Sequence, residues 1–291
     1  MFCTQCPRNC GVDRENGLGY CLSNDVPRIS RAALHFWEEP CISGTAGSGA
    51  VFFSGCNLRC VYCQNHEISS GGAGIQMSDD DIMRAFDRLI EQGAHNINLV
   101  TPTHFSDSVV RILEKYKSPV PIVYNCGGYE SVDSIKRLEG LVDIYLPDFK
   151  YADNKLAAAY SKAPDYFERA SEAVLEMSRQ VGKLVLDENG IAKSGLIVRH
   201  LVLPGAVSNT KKVLRWIKDY LPQGTIVSLM SQYTPCVSDL ESPLDRRISK
   251  YEYEIAVNEM MNLGFENGYI QGRRSAQKDF VPDFNALEGL L

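Results

Sequence analysis

The stretch "FFSGCNLRCVYCQN" (52–65) ends a short apolar run and then places Cys56, Cys60 and Cys63 in one tight loop. Three is an awkward number of thiols. A structural zinc site takes four protein ligands, and a disulfide takes cysteines in pairs. The spacing Cys-x3-Cys-x2-Cys lets one [4Fe–4S] cluster take all three thiolates, which leaves one of its four irons open to another ligand. The competing reading is a structural zinc that borrows a fourth ligand such as His66.

The pattern around the triplet sets its place in the fold. Short β-rich runs recur at "AVFF" (50–53), "NINLV" (96–100), "PIVY" (121–124), "VDIYL" (142–146), "LIVRHLVL" (196–203) and "TIVSLM" (225–230). Between them apolar residues fall at helical spacing, as in Ile82, Phe86, Leu89 and Ile90, or Val109, Ile112, Leu113 and Tyr116. Ser78 followed by three aspartates is a helix start with charge suited to the helix dipole. Six strand-plus-helix units imply an α/β fold with a parallel sheet, either doubly wound or part of a barrel. In both, ligands bind beyond the C-terminal ends of the strands. The triplet follows the first strand directly, so it belongs at that mouth.

Composition narrows the function classes. The 291 residues are 44% hydrophobic and 23% charged, as in ordinary globular proteins. A formal charge of -6 with no Lys/Arg block argues against nucleic acid. No apolar run reaches membrane-helix length and no signal-peptide core opens the chain, so a cytoplasmic location is expected. A reducing compartment disfavours disulfides, and most of the ten cysteines lie in the first 63 residues, so metal chemistry is expected there. No Walker loop, nucleophile elbow, His-Glu-x-x-His helix or dinucleotide fingerprint is present.

"GCNLRCVYCQN" (55–65) resembles the signature of the radical S-adenosylmethionine (SAM) superfamily, including Tyr62 before the third cysteine. The resemblance extends to "HFWEEPCISG" (35–44), "YNCGGY" (124–129), "LPDFK" (146–150), "VRHLVLPG" (198–205) and "SQYTPC" (231–236), where the chain is similar to the PflX-like branch of pyruvate formate-lyase activating enzyme homologues. It implies a partial (β/α)6 TIM-type barrel, a [4Fe–4S] cluster on Cys56, Cys60 and Cys63, and SAM chelating the open iron. It further implies SAM contacts from Tyr62, Asn125, Asp148, Lys150, Arg199 and Val202, and an electron donor such as flavodoxin or ferredoxin. Relatives often carry Gly-Gly-Glu after the second strand. This chain reads "VTPTHF" (100–105), where Thr101 and Thr103 are the substitutes, and His104 is equally a structural histidine.

Cys3, Cys6, Cys10 and Cys21 form a second, complete thiol set, suited either to zinc or to a second [4Fe–4S] cluster. Cys41, Cys126 and Cys236 remain, the last two expected near the mouth. The expected organisation is a Cys-rich extension (1–48) outside the barrel, the barrel itself (49–272), and a tail (273–291) docking through Phe280, Phe284 and Leu287. The expected activity is reductive cleavage of SAM, with hydrogen abstraction from an unidentified small-molecule or protein substrate. Glycyl-radical activation is the alternative, and a non-catalytic iron–sulfur carrier is the reading from another class. No catalytic residue beyond the ligands is singled out.

Overall fold

The computed structural model describes residues 2–271 and Phe284. Its strands are β1 (Arg28–His35), β2 (Ser48–Phe53), β3 (Ile75–Gln76), β4 (Ile97–Val100), β5 (Ile122–Cys126), β6 (Ile144–Pro147), β7 (Val185–Leu186), β8 (Ala192–Leu201), β9 (Ile226–Met230) and β10 (Gly268–Ile270). The helices are α1 (Pro40–Ser43), α2 (His66–Ser69), α3 (Asp79–Glu91), α4 (Ser106–Lys115), α5 (Val132–Lys136), α6 (Asn154–Ser161), α7 (Tyr166–Val181), α8 (Val207–Tyr220) and α9 (Lys250–Asn262). No described helix is long and apolar enough to cross a membrane.

Strand order decides between the two parallel architectures. Along the sheet it runs β10-β9-β8-β6-β5-β4-β2-β1-β3, and every neighbouring pair from β2 to β10 is parallel. A doubly wound sheet reverses its order at a switch point, and this one does not. The sheet is a partial (β/α) barrel, as the resemblance implied. The six expected strands are present, and β10 adds a seventh parallel one.

The helices that the pattern placed form there, for identifiable reasons. Ser78 caps α3 in a reciprocal box with Asp81, and Asp79, Asp80 and Asp81 occupy its first turn. Ile82, Ala85, Phe86 and Leu89 form its buried face, part of the large apolar layer between sheet and helices. Ser249 and Glu252 cap α9 in the same way.

The first 48 residues are not wholly outside the barrel. β1 runs antiparallel to β2 from Ile29↔Phe53 to His35↔Ser48, so the expected boundary at residue 48 cuts through a paired hairpin. Beyond β1 the chain turns inward. In α1, Cys41 and Ile42 are buried with Val123, Ile144, Leu146, Ala192 and Ile197, so this short helix seals the barrel interior from within. Of the tail, Phe280 and Leu287 lie outside the described residues. Phe284 is buried edge-on against Phe52, with ring centroids 5.4 Å apart.

Two buried histidines set a pH dependence. His200, on β8, reaches Phe149 O at 2.6 Å and Thr210 Oγ1 at 2.9 Å, and His104 reaches Ser54 O at 2.8 Å. Burial pushes them down to about 4 and about 3. Between those values and 6.5 the unfolded chain binds protons that the native one refuses, so stability falls as pH drops through that window. The slope is at most about 1.4 kcal/mol per pH unit for each histidine. Burial raises Glu130 to about 7, and its contribution is instead lost as pH rises from 4.5. Urea unfolding should therefore show a lower midpoint at pH 5 than at pH 7, more so in Glu130→Gln. A flat profile in that variant contradicts the assignment.

Candidate active site

The loop after β2 carries the three cysteines over the barrel mouth. Leu58 is fully buried, Asn57 Nδ2 donates to Tyr129 O at 2.6 Å, and Val61 N donates to Tyr160 O at 2.8 Å, so the loop is tied to the core at three points. Arg59, within it, has φ +54°. Thr101, at the end of β4, has φ +60°, a region disfavoured for a β-branched residue. Such outliers persist where surrounding contacts over-determine them, and Thr101 borders the cavity that the cysteine loop also lines.

That cavity, of about 230 Å³, holds Cys56, Cys60 and Cys63 on one wall. Burial pushes the Cys56 thiol up to about 11 and raises Cys60 and Cys63 as well, so as free groups all three are thiols. Donors already face their sulfurs: Leu58 N–H at 3.4 Å from Cys56 Sγ, and Ser161 Oγ at 2.9 Å from Cys60 Sγ. Ser161 Oγ also meets Tyr151 OH at 2.8 Å, which shares a 2.6 Å hydrogen bond with Tyr62 OH. The Tyr62 side chain is thus fixed by a hydroxyl chain that ends on the Cys60 sulfur.

A charged layer faces the thiols. Asp148, just past β6, pairs with Lys150 and accepts from Arg199 Nε at 2.9 Å. Arg199 Nη1 reaches Glu38 Oε2 at 2.9 Å, and its other amino group donates to Asn125 Oδ1. Asn98 and Asn125 each donate to Glu38 Oε1 at 3.1 Å. Burial alone would raise Asp148, but the Arg199 and Lys150 cations outweigh it and hold the carboxyl below its usual range. Burial would lower Lys150, and Asp148 with Cys60 overcomes this to bring it up to about 12. Glu39 is buried with Oε2 unpartnered, and burial raises it.

Of the expected SAM contacts, Tyr62, Thr101, Asn125, Asp148, Lys150 and Arg199 line this cavity together with the thiols. Thr103 does not; its hydroxyl donates to Glu130 at 2.7 Å. Val202 is buried in the layer beneath the helices. His104 takes its structural reading. Cys126 lines the cavity, with burial holding it well above the usual thiol range, whereas Cys236 donates to Thr234 O at 3.0 Å beside the cavity wall. Glu38 and Glu39 were not singled out by the sequence. The available signal was two adjacent acids between an aromatic pair and a proline, in "HFWEEP" (35–40).

The chain is 30% identical over 265 residues to an uncharacterized protein of Methanocaldococcus jannaschii, covering 88% of this chain and 73% of the relative. Residues 50–188, from the first parallel strand onward, match the radical SAM superfamily. The chain belongs to the radical SAM superfamily. Among solved structures, the [FeFe]-hydrogenase maturase HydG is similar in fold at TM-score 0.52 and 13% identity, covering 77% of this chain and 51% of that one. SuiB of Streptococcus suis, bound to its precursor peptide SuiA, is similar at TM-score 0.51 and 10% identity, covering 75% of this chain and 46% of that one. At those identities the likeness is one of fold.

As a radical SAM enzyme the protein uses a [4Fe–4S] cluster, SAM and an external electron donor. The cavity fits this requirement. Three thiols of one loop share a wall that already carries hydrogen-bond donors to sulfur, and Lys150 offers a cation within reach of them.

Proposed function

We propose that Cys56, Cys60 and Cys63 hold the cluster and that Lys150, Asp148, Asn125, Arg199, Thr101 and Tyr62 form the SAM-binding wall. The observation that carries this reading is the placement of the three thiols and the Asp148–Lys150–Arg199 group around one cavity. When bound, the cluster and SAM supply a 5′-deoxyadenosyl radical by one-electron reductive cleavage of the sulfonium, at potentials such clusters reach down to about -700 mV. The protein's own work is orientation and exclusion of water. Lys150 and Arg199 present cations suited to a carboxylate, while Asp148 and Glu38 keep those cations fixed in place. The hydroxyl chain from Tyr62 to Ser161 orients Cys60.

The substrate of this reading is a small metabolite or a protein other than pyruvate formate-lyase, with a flavodoxin- or ferredoxin-type donor supplying the electron. The test is anaerobic incubation of the reconstituted, reduced protein with SAM. Formation of 5′-deoxyadenosine is expected, and its absence removes the reading in favour of a carrier role. Adding a glycyl-radical enzyme separates the substrate classes. A stoichiometric glycyl doublet in electron paramagnetic resonance (EPR) would establish the activase role instead.

A further inference from the structure

We infer that Cys3, Cys6, Cys10 and Cys21 hold a thiolate-bound metal centre, and that Arg8, between the second and third of them, couples loading of that centre to the geometry of the Cys56–Cys63 loop. The coupling to a catalytic loop rests on the proposed function; the metal centre does not.

The four thiols are gathered by a backbone knuckle. Asn9 N donates to Cys6 O, Gly11 N to Cys3 O and Cys3 N to Val12 O, at 3.0 to 3.2 Å. Cys10 lies close to Cys3, and Cys6 lies close to Cys21 and Cys3. Gly19 separates two of the sulfurs: a Cβ there would stand 3.3 Å from Cys21 Sγ and 3.5 Å from Cys10 Sγ. The buried Arg14 guanidinium stands 4.0 Å from Cys3 Sγ, a cation placed to balance thiolate charge. All four thiols are free of disulfides. Among the described residues no three such side chains surround a single-ion position as they stand. Loading therefore either draws the thiols inward around zinc, or is completed by an iron–sulfur cluster that spans wider separations.

The knuckle touches the catalytic loop at two places. Arg8 Nε donates to Asn57 O at 2.7 Å, its Nη2 to Ser161 O at 2.9 Å, and its Nη1 to Lys162 O. Asn57 follows Cys56, and Ser161 is the residue whose hydroxyl donates to Cys60 Sγ. The guanidinium is held between two rings, 4.1 Å from the centre of the Tyr20 ring and 5.2 Å from that of Tyr129. At the second place, a Cβ on Gly55 would lie 2.5 Å from Cys21 O, so the backbones of a knuckle cysteine and of the residue before Cys56 are in contact.

Binding free energy at a thiol knuckle is folding free energy, because such a segment has little core of its own. Metal therefore orders the turn that presents Arg8. The planar fork then fixes two carbonyls that frame Cys56 and Cys60, a task a lysine performs only in part.

The test isolates the knuckle in a protein whose Cys56, Cys60 and Cys63 are alanine. Zn²⁺ is titrated in one arm and Fe²⁺ with sulfide in the other, with metal counted per chain and hydrogen–deuterium exchange followed at residues 55–63. Stoichiometric loading in either arm and exchange slowed by about tenfold at 55–63 are expected. Adding Arg8→Ala should keep the metal and lose the slowing, and Arg8→Lys should restore part of it. Failure to bind metal, or slowing that survives Arg8→Ala, overturns the inference. Should the alanine protein not fold, the same question is put to the otherwise intact chain: Arg8→Ala is expected to shift the EPR spectrum of the reduced SAM-binding cluster, and an unchanged spectrum overturns the coupling. A wild type that loads metal at the knuckle yet never cleaves SAM removes the proposed function alone.

Discussion

Alanine at Cys56, Cys60 and Cys63 should abolish 5′-deoxyadenosine formation to background while leaving a folded barrel. The loss is complete because the group that supplies the chemistry has no other ligands in this loop. The fold should survive because the loop is held by other contacts. Leu58 is buried in the core, Asn57 Nδ2 binds Tyr129 O, and Val61 N binds Tyr160 O. None of these uses a thiol. Circular dichroism and chromatography of the anaerobic reaction read the two halves of the prediction. Cleavage retained by the triple variant would move the cluster elsewhere and sink the assignment.

The second large effect concerns stability. Arg199→Met should cost about 3–5 kcal/mol, the range expected when one partner of a buried ion pair is removed and the other is left uncompensated. Here two carboxylates are affected: Glu38 and Asp148 both accept from Arg199 at 2.9 Å, and without it Glu38 keeps only neutral donors while Asp148 keeps Lys150. Arg199→Lys should fall between, because an ammonium keeps the charge but loses the fork that spans Asp148, Glu38 and Asn125. Combining Arg199→Met with Glu38→Gln should recover much of the loss, as the carboxylate left without a cation is then gone while Asp148 keeps Lys150. Urea unfolding measures all four proteins. A single variant within about 1 kcal/mol of wild type would mean that water reaches the layer and screens it.

The architecture was legible to the extent that local pattern carries it. Period-2 and period-3.6 apolar runs placed β2, β4, β5, β6, β8 and β9 and the helices between them within a few residues. The triplet's position after the first strand placed it at the mouth. β1 escaped because "RISRAALH" (28–35) mixes charged and apolar residues, and its strand character comes from pairing with β2. β10 is three residues long and too short for any period to register. α1 was unreadable for a similar reason: four residues have no repeat, and Cys41 and Ile42 are buried only because the barrel curls around them.

The candidate site divides along the same line. Cysteines three or four positions apart must be neighbours, whatever the rest of the chain does, so the proposed metal-binding character of 56–63 and of 3–10 is read from the sequence alone, whereas Cys21, eleven positions further on, is brought beside Cys10 by the turn at Gly19. Asp148 and Lys150, two residues apart at a strand end, are nearly as local. Arg199 with Glu38, 161 positions away, and Arg8 with Ser161, 153 positions away, meet only because the parallel strands wind in a single direction and bring the N-terminal segment back into the mouth. Local spacing is a covalent constraint and survives in any conformation. Long-range pairing is set by loop closure and by the packing of the whole barrel, and only the tertiary structure decides it.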